Sequence, residues 1–295
     1  MSEFEMETIR IGTLVRAENA LEQVQQIASY GFECVALVFH REKMDLSLEN
    51  LAGEVLQVCK ENGMAISSLC LYANPLEESE EGEKAWASLE RLIHSARFFE
   101  TDLIGCWTGR LRNRSIPECI PRFVETWEAL GTLAAEMSVR IAFENCLKNG
   151  DWHRGDWNIA HNPAAWELMF NALPLDNLGL QWEPCHQMLQ LMDPLPQLKK
   201  WTARIFNVHG KCCSLHWDVI KDYGIHGEKP YAHQRFPGFG DCDWAEIIRE
   251  LLLGGFKGSI DIEGWHDPLY RDSSELTGQV AALHYLKQCR ELVTV

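Results

Sequence analysis

No stretch of this sequence is apolar for long enough to cross a bilayer, which excludes a helical membrane protein. Basic residues are scarce: 27 Lys and Arg stand against 43 Asp and Glu, a formal charge of −16. That balance argues against broad binding to nucleic acid or to anionic membrane, because phosphate contacts need clustered cations. A local basic pocket stays open. The segment Met1 to Glu7 lacks the basic-then-apolar order of a secretion signal. No C-x-x-C pair occurs among the 11 cysteines, and their number is odd. Reduced thiols in the cytoplasm are therefore expected. Cys34, Cys59, Cys70 and Cys106 sit in apolar segments as small hydrophobes, and the adjacent Cys212 and Cys213 are expected to pack rather than to do redox work. Linkers and compositional breaks are also missing, so residues 1–295 are expected to form one domain.

What is present is a strand–helix alternation from end to end. Strands are expected at Thr8–Leu14, Cys34–Phe39, Ala65–Leu71, Asp102–Trp107, Arg140–Glu144, Leu178–Trp182, Ile205–His209 and Ser259–Glu263, several of them continuous apolar runs of the kind buried on both faces. Helical spacing fills the intervals. Gly31 and Gly63 end the first two helices, and Ser47 is placed to cap the second. Pro117 and Pro121 belong in or before the first turn of a helix spanning Ile116–Glu136, Asn162 caps a helix opening at Pro163, and a short helix spans about Pro196–Ala203. Eight strand–helix units predict a single-domain (β/α)8 TIM barrel. A doubly wound sheet is the rival, but it usually stops earlier, and no Gly-rich phosphate loop follows the first strand. Two connections, at about 145–161 and 212–240, are too long for ordinary turns. They follow strands five and seven, on the face where barrels carry their sites.

Strands five to eight end in chemistry. Glu144, Glu183, His209 and Glu263 each follow apolar residues, and the strand ends of a closed barrel converge. Three carboxylates drawn together repel one another, and a divalent cation removes that cost. Oxygen-rich coordination with one nitrogen suits one Mn2+, Mg2+, Co2+ or Zn2+ ion. Pro184 stops the sixth strand, so Glu183 and His186 are expected to project together into a loop. Six other histidines, His153, His161, His216, His226, His233 and His266, are more economically explained as loop or structural residues. Of the tryptophans near the rim, Trp107 is the candidate to touch a substrate, since aromatic faces suit sugar C–H surfaces.

The ordered pieces Ile141-Ala142-Phe143-Glu144-Asn145, Glu183-Pro184-Cys185-His186, His209-Gly210-Lys211, Gly238-Phe239-Gly240-Asp241-Cys242-Asp243-Trp244 and Asp261-Ile262-Glu263 resemble the xylose-isomerase-like superfamily of sugar-phosphate isomerases and epimerases. That superfamily also holds keto-inositol dehydratases and an AP-endonuclease branch. The resemblance implies a metal held by Glu144, Glu183, His209 and Glu263. It also implies that Glu144 and Glu263 pass a proton across the reacting carbons through an enediolate. His186 and Lys211 match positions that contact substrate oxygens, and Arg235 is the candidate for a sugar oxygen or phosphate. The partner implied is a small sugar-like molecule, and the family often forms dimers or tetramers. A dehydratase and a non-catalytic sugar binder are the alternatives. A nucleic-acid repair enzyme is disfavoured, because strands three and four end in Cys70-Leu71-Tyr72 and Trp107-Thr108 instead of histidine ligands. One departure stands out: the family usually carries Asp where this chain has Glu183. The extra methylene moves the carboxylate by roughly 1.5 Å, against metal–ligand tolerances of about 0.2 Å.

Overall fold

Apolar runs that alternate with amphipathic helices can bury both faces of every strand only by closing the sheet on itself and wrapping it in the helices. The computed structural model, which describes residues 9–40 and 47–293, has this form. The strands are β1 (Arg10–Arg16), β2 (Cys34–Phe39), β3 (Ala65–Leu71), β4 (Leu103–Cys106), β5 (Arg140–Glu144), β6 (Leu178–Trp182), β7 (Ile205–Gly210), β8 (Cys212–Leu215), β9 (Ala232–Arg235) and β10 (Ser259–Ile262). Eight of them close a parallel barrel in the order β1-β10-β7-β6-β5-β4-β3-β2, while β8 and β9 form a separate two-stranded sheet. The fold is a single-domain (β/α)8 TIM barrel. Its main hydrophobic core lies between strands and helices, where Val24, Val55, Leu89, Trp127, Trp166 and Leu286 are fully buried.

Several local expectations need correction. Thr8 lies outside the described residues, and β1 continues to Arg16. Ser47 occupies the N-cap of helix Leu48–Glu61, yet its side chain makes no capping bond. Asn162 does cap, accepting from the Ala165 N–H. Pro121 lies inside helix Ile116–Glu136 and not in its first turn. That helix has a Ser115–Glu118 capping box and an apolar face that buries Phe123, Trp127 and Leu130, and this packing carries the missing N–H. The short helix after β6 runs Pro194–Trp201. The 212–240 connection is not an open loop: it holds the antiparallel β8–β9 pair and a helix at Trp217–Tyr223.

The expectation of uniformly free thiols is also corrected. Cys212 and Cys242 form a disulfide across 30 residues, with Cα atoms 5.7 Å apart. The chain doubles back over β8, where the Asp241 N–H donates to the Cys213 carbonyl at 2.8 Å and the Leu215 N–H donates to Asp241 Oδ2 at 2.7 Å. Sequence spacing does not reveal that return.

The two ends of the barrel meet at Glu33. Its Oε2 accepts from the Ile11 N–H at 2.8 Å and from Arg290 at 2.7 Å, and its Oε1 accepts from the second Arg290 nitrogen at 2.7 Å. Arg290, from the last helix Glu275–Val293, thereby clamps the strand pair that begins the chain. Burial alone would raise the Glu33 carboxyl, but Arg290 and the Ile11 amide hold it below the usual range. The clamp therefore stabilises the fold above the ordinary glutamate pKa and is lost as pH falls through the depressed folded value. Glu33→Gln is expected to cost about 1–3 kcal/mol in urea unfolding at neutral pH, and to flatten the acid limb of the stability curve; an unchanged midpoint and limb would refute the clamp.

Candidate functional site

Glu144 is the last residue of β5, His209 lies in β7, and Glu183 and Glu263 directly follow β6 and β10. Adjacent parallel strands deliver them to one rim, and one ligand-type atom from each lies within 4.8 Å of all the others. All four residues are buried. The expected loop at Glu183–His186 is instead a short helix, Pro184–Met188, with Glu183 at its N-cap and Pro184 opening it. Asn145 fixes the entry to that helix, because its Oδ1 accepts from the Glu183 N–H at 2.7 Å and its Nδ2 donates to the Glu183 carbonyl at 2.9 Å. With its backbone held on both sides, Glu183 reaches the cluster despite its longer side chain.

His209 Nδ1 is the centre of the group. It stands 3.2 Å from Glu144 Oε1, 3.5 Å from Glu183 Oε2 and 3.1 Å from Glu263 Oε2. Glu183 Oε1 and Oε2, Glu263 Oε2 and His209 Nδ1 are buried without a hydrogen-bond partner. One such atom costs about 1–3 kcal/mol, and Glu183 Oε2 and Glu263 Oε2 both lie within 3.5 Å of His209 Nδ1, an arrangement that suits a ligand set. One nitrogen and several carboxylate oxygens fit a divalent ion of the Mg2+, Mn2+, Co2+ or Zn2+ type. A second grouping, Glu144, Cys146 and His186, shares Glu144.

Two donors brace the carboxylates from outside the cluster. The Trp107 indole N–H donates to Glu144 Oε2 at 2.6 Å. Lys211, 2% exposed, places Nζ 2.7 Å from Glu263 Oε1 and 3.6 Å from Glu183 Oε1. Burial alone would lower the Lys211 ammonium, but Glu183 and Glu263 hold it well above the usual lysine range. Burial alone would raise Glu263, yet Lys211 and His209 hold it well below the ordinary carboxylate range. Glu144 is lowered less strongly, with His209 overcoming its burial. Burial would likewise lower His209, but Cys70 and the carboxylates of Glu144, Glu183 and Glu263 hold it well above the usual histidine range.

A cavity of about 750 Å³ opens above the cluster. Glu144, Glu263, His186, Lys211 and Trp107 line it, as expected for residues that meet a ligand, whereas Glu183 and His209 lie beneath its floor. Arg235 does not line it: its Nε is bonded to Asp267 Oδ2 at 2.9 Å, because β9 turns that side chain toward the loop after β10. Tyr72, Lys148, Tyr231 and His266 also line the cavity and were missed by sequence reasoning, whereas Trp157 and Trp265 are two of the tryptophans expected near the rim. Lys148 had a signal, since it belongs to the long 145–161 connection, and its Nζ sits 5.2 Å above the Trp107 ring. His216 and His233 are 2.7 Å apart on the β8–β9 pair, away from the cluster. No described helix is long and apolar enough to cross a membrane.

A family model described as a xylose isomerase-like TIM barrel matches residues 24–289. Among solved structures, the chain is similar to the 3-keto-D-glucoside 4-epimerase of E. coli, with 17% identity, a TM-score of 0.69 and coverage of 96% of this chain and 100% of that one. It is also similar to a xylose isomerase domain protein of Planctomyces limnophilus, with 17% identity, a TM-score of 0.71 and 97% and 98% coverage. A xylose isomerase-like TIM barrel protein of Mycobacterium smegmatis in complex with magnesium shows 16% identity, a TM-score of 0.68 and 97% coverage of both chains. No curated protein matches the sequence.

Two outcomes follow for metal uptake. Because the raised His209 ring carries a proton in the metal-free protein, an ion must displace it. Affinity measured by competition with a chromogenic chelator is expected to rise about tenfold per pH unit until the His209 pKa is passed; a flat profile through the neutral range would contradict His209 ligation. Glu183→Asp, which shortens the side chain by one methylene, is expected to weaken binding by about tenfold or more. The Asn145 clamp prevents the backbone from advancing to make up the lost length, and equal or tighter binding would show that it does not hold.

Proposed function

The chain belongs to the xylose isomerase-like TIM-barrel superfamily, and from this membership and the geometry of the site we propose that it is a metal-dependent isomerase or epimerase of a small polyhydroxy-carbonyl compound. One observation carries the reading: of the four clustered residues, Glu144 and Glu263 line the cavity, while Glu183 and His209 lie below it. Two carboxylates are thus presented to a ligand from different strands, over a floor built to hold a cation. A divalent ion held by Glu144, Glu183, His209 and Glu263 would supply Lewis-acid polarisation of a carbonyl and stabilise the developing oxyanion charge.

The protein groups then divide the remaining work. Glu144 and Glu263 both have lowered carboxyl pKa values, so both are ionised near neutrality and able to accept a proton. One removes the proton from the carbon beside the carbonyl; the other first takes up a proton from water, then delivers it to the opposite face or to the neighbouring carbon, and the first gives its own proton back to water to reset the pair. The Trp107 N–H fixes the Glu144 carboxylate, and Lys211 fixes that of Glu263, so neither has to reorganise during transfer. His186 and Lys211 face the cavity as donors to substrate oxygens, and Trp107, Trp157 and Trp265 offer apolar faces to a sugar ring. The name of the E. coli relative, a 4-epimerase of a 3-keto sugar, describes chemistry of this kind beside a ketone.

A dehydratase reading starts from the same proton abstraction. It draws support from Lys211 Nζ, 2.7 Å from Glu263 Oε1, which could protonate a departing hydroxide. Product analysis separates the two, because only dehydration changes the mass of the carbon skeleton's substituents by one water.

Glu144→Gln and Glu263→Gln are each expected to lower kcat by about 10²–10⁴-fold with the fold retained. Wild-type turnover in D2O is expected to place solvent deuterium on the carbon beside the carbonyl. Full turnover in both variants, or a panel of ketoses and keto-glycosides that bind without exchange, would favour a non-catalytic sugar binder.

A further inference from the structure

Below the metal-ligand cluster the barrel interior is polar where β6, β7 and β10 face inward. Asp261 is fully buried there. Its Oδ2 receives the Asn207 amide at 2.7 Å and the hydroxyls of Ser67 and Ser259, each at 3.0 Å; its Oδ1 receives the Cys34 thiol at 3.4 Å. All four neighbours donate, and a carboxylate only accepts. Asn207 must therefore turn its NH2 toward Asp261, which leaves its Oδ1 to accept from Gln181 Nε2 at 2.9 Å. Gln181 Nε2 also reaches Cys70 Sγ at 3.6 Å, so the oxygen of the same amide points the other way and accepts the Tyr72 hydroxyl proton at 2.9 Å. That proton is the only one Tyr72 has. What it presents to His209 Nε2, 3.3 Å away, is a lone pair.

We propose that this one-way chain, from Asp261 through Asn207, Gln181 and Tyr72, keeps a proton on His209 Nε2, so that Nδ1, the nitrogen facing Glu144, Glu183 and Glu263, is the one that gives up its proton to a metal ion. The ring nitrogen opposite the metal normally needs such a partner, which sets tautomer, orientation and ligand strength. The chain cannot run backwards. Flipping Asn207 would set its oxygen against the Asp261 carboxylate and its NH2 against that of Gln181; flipping Gln181 as well would repair the second contact but not the first. Two glycines make the room. A Cβ on Gly105 would stand 2.6 Å from Gln181 Nε2 and 2.8 Å from Cys70 Sγ, and a Cβ on Gly12 would collide with Asp261. Asp261, Asn207 and Gln181 do not line the cavity, so their role is to position His209, not to bind substrate. The inference rests on the metal reading for its consequence, though not for the proton on Nε2 itself.

Co2+-loaded protein tests it. The hyperfine-shifted proton spectrum of the wild type is expected to show one slowly exchanging imidazole N–H from His209. In Tyr72→Phe and Asp261→Asn that proton is expected to exchange at least about tenfold faster, and Co2+ affinity to fall by about 10–100-fold. Ser67→Ala is the control: it removes a donor from the same carboxylate but leaves the chain whole, and is expected to keep wild-type affinity and exchange. Should Asp261→Asn fail to fold, Gln181→Met breaks the chain nearer its upper end. Wild-type behaviour in folded Tyr72→Phe and Asp261→Asn, or an equal loss in Ser67→Ala, would overturn the proposal. If the wild type takes up no Co2+, the metal reading fails separately. The His209 ring of the metal-free protein then decides alone: a slowly exchanging Nε2–H that Tyr72→Phe speeds up sustains the chain, and an Nε2 that carries no proton, or whose proton is indifferent to Tyr72→Phe, refutes it.

Discussion

Three carboxylates converging on one buried imidazole set the terms for the rest of this protein. At separations of 3.1–3.5 Å from His209 Nδ1, Glu144, Glu183 and Glu263 can all stay ionised only if positive charge is brought to them. Lys211 supplies one such charge from within the protein, and the raised His209 ring supplies another. The proton on His209 and a divalent ion therefore compete for one place. A dication that displaces the proton raises the local charge by one. With Lys211 ionised, it balances the three carboxylates. This electrostatic bookkeeping explains why a lysine is buried beside a metal-ligand set at all. Without it, the three carboxylates would outweigh a bound dication and leave a net negative charge in the cluster.

The barrel solves the associated problem of precision. Each of the four clustered residues sits at or next to a strand end, and two of the residues that follow hold a neighbour's backbone. Asn145, one position beyond Glu144, pins Glu183 across the β5–β6 gap. The Glu263 N–H donates to the Gly210 carbonyl, one position beyond His209. Site residues thus hold one another's backbones, which is how Glu183 joins the cluster with a side chain a methylene longer than that of Asp. Length and strand-end position are one combined variable here, and the Asn145 clamp is what makes them interdependent.

Much of this was legible in the sequence. The (β/α)8 order followed from apolar runs alternating with helical spacing, and Cys34–Phe39, Ala65–Leu71, Arg140–Glu144 and Leu178–Trp182 coincide with observed strands. The four clustered residues were visible because strand ends in a barrel must converge. The misses share a physical cause, in that they depend on contacts made far along the chain. The Cys212–Cys242 disulfide, the β8–β9 pair and the Arg235–Asp267 bond all arise from the 212–240 segment folding back on itself, which no local period encodes. The polar chain beneath the site left a fainter trace. Gln181, Asn207 and Asp261 each stand two residues before Glu183, His209 and Glu263. In a strand, a spacing of two places both residues on one face. Within otherwise apolar strands, three polar residues on the face that carries the ligands mark an interior built around the site.

That interior is tolerable because the stability of the fold resides elsewhere. The large aliphatic and aromatic core lies outside the strands, against the helices, and the apolar cluster on the β1–β3 side of the interior is small: Leu14, Ala36 and Cys70. Buried polar groups cost little when every donor finds an acceptor, and Asp261, Asn207 and Gln181 meet that condition together. Among the described residues, many of the side-chain atoms left unsatisfied gather at the rim, at Glu183, Glu263, His209, His186 and the cavity-lining Gln234. A barrel whose helices supply the hydrophobic free energy can thus fill the inside of its C-terminal half with fixed dipoles. The orientation of a ligand ring at the rim is then set by a carboxylate near the barrel floor, and changes at that floor act on the chemistry without touching the substrate.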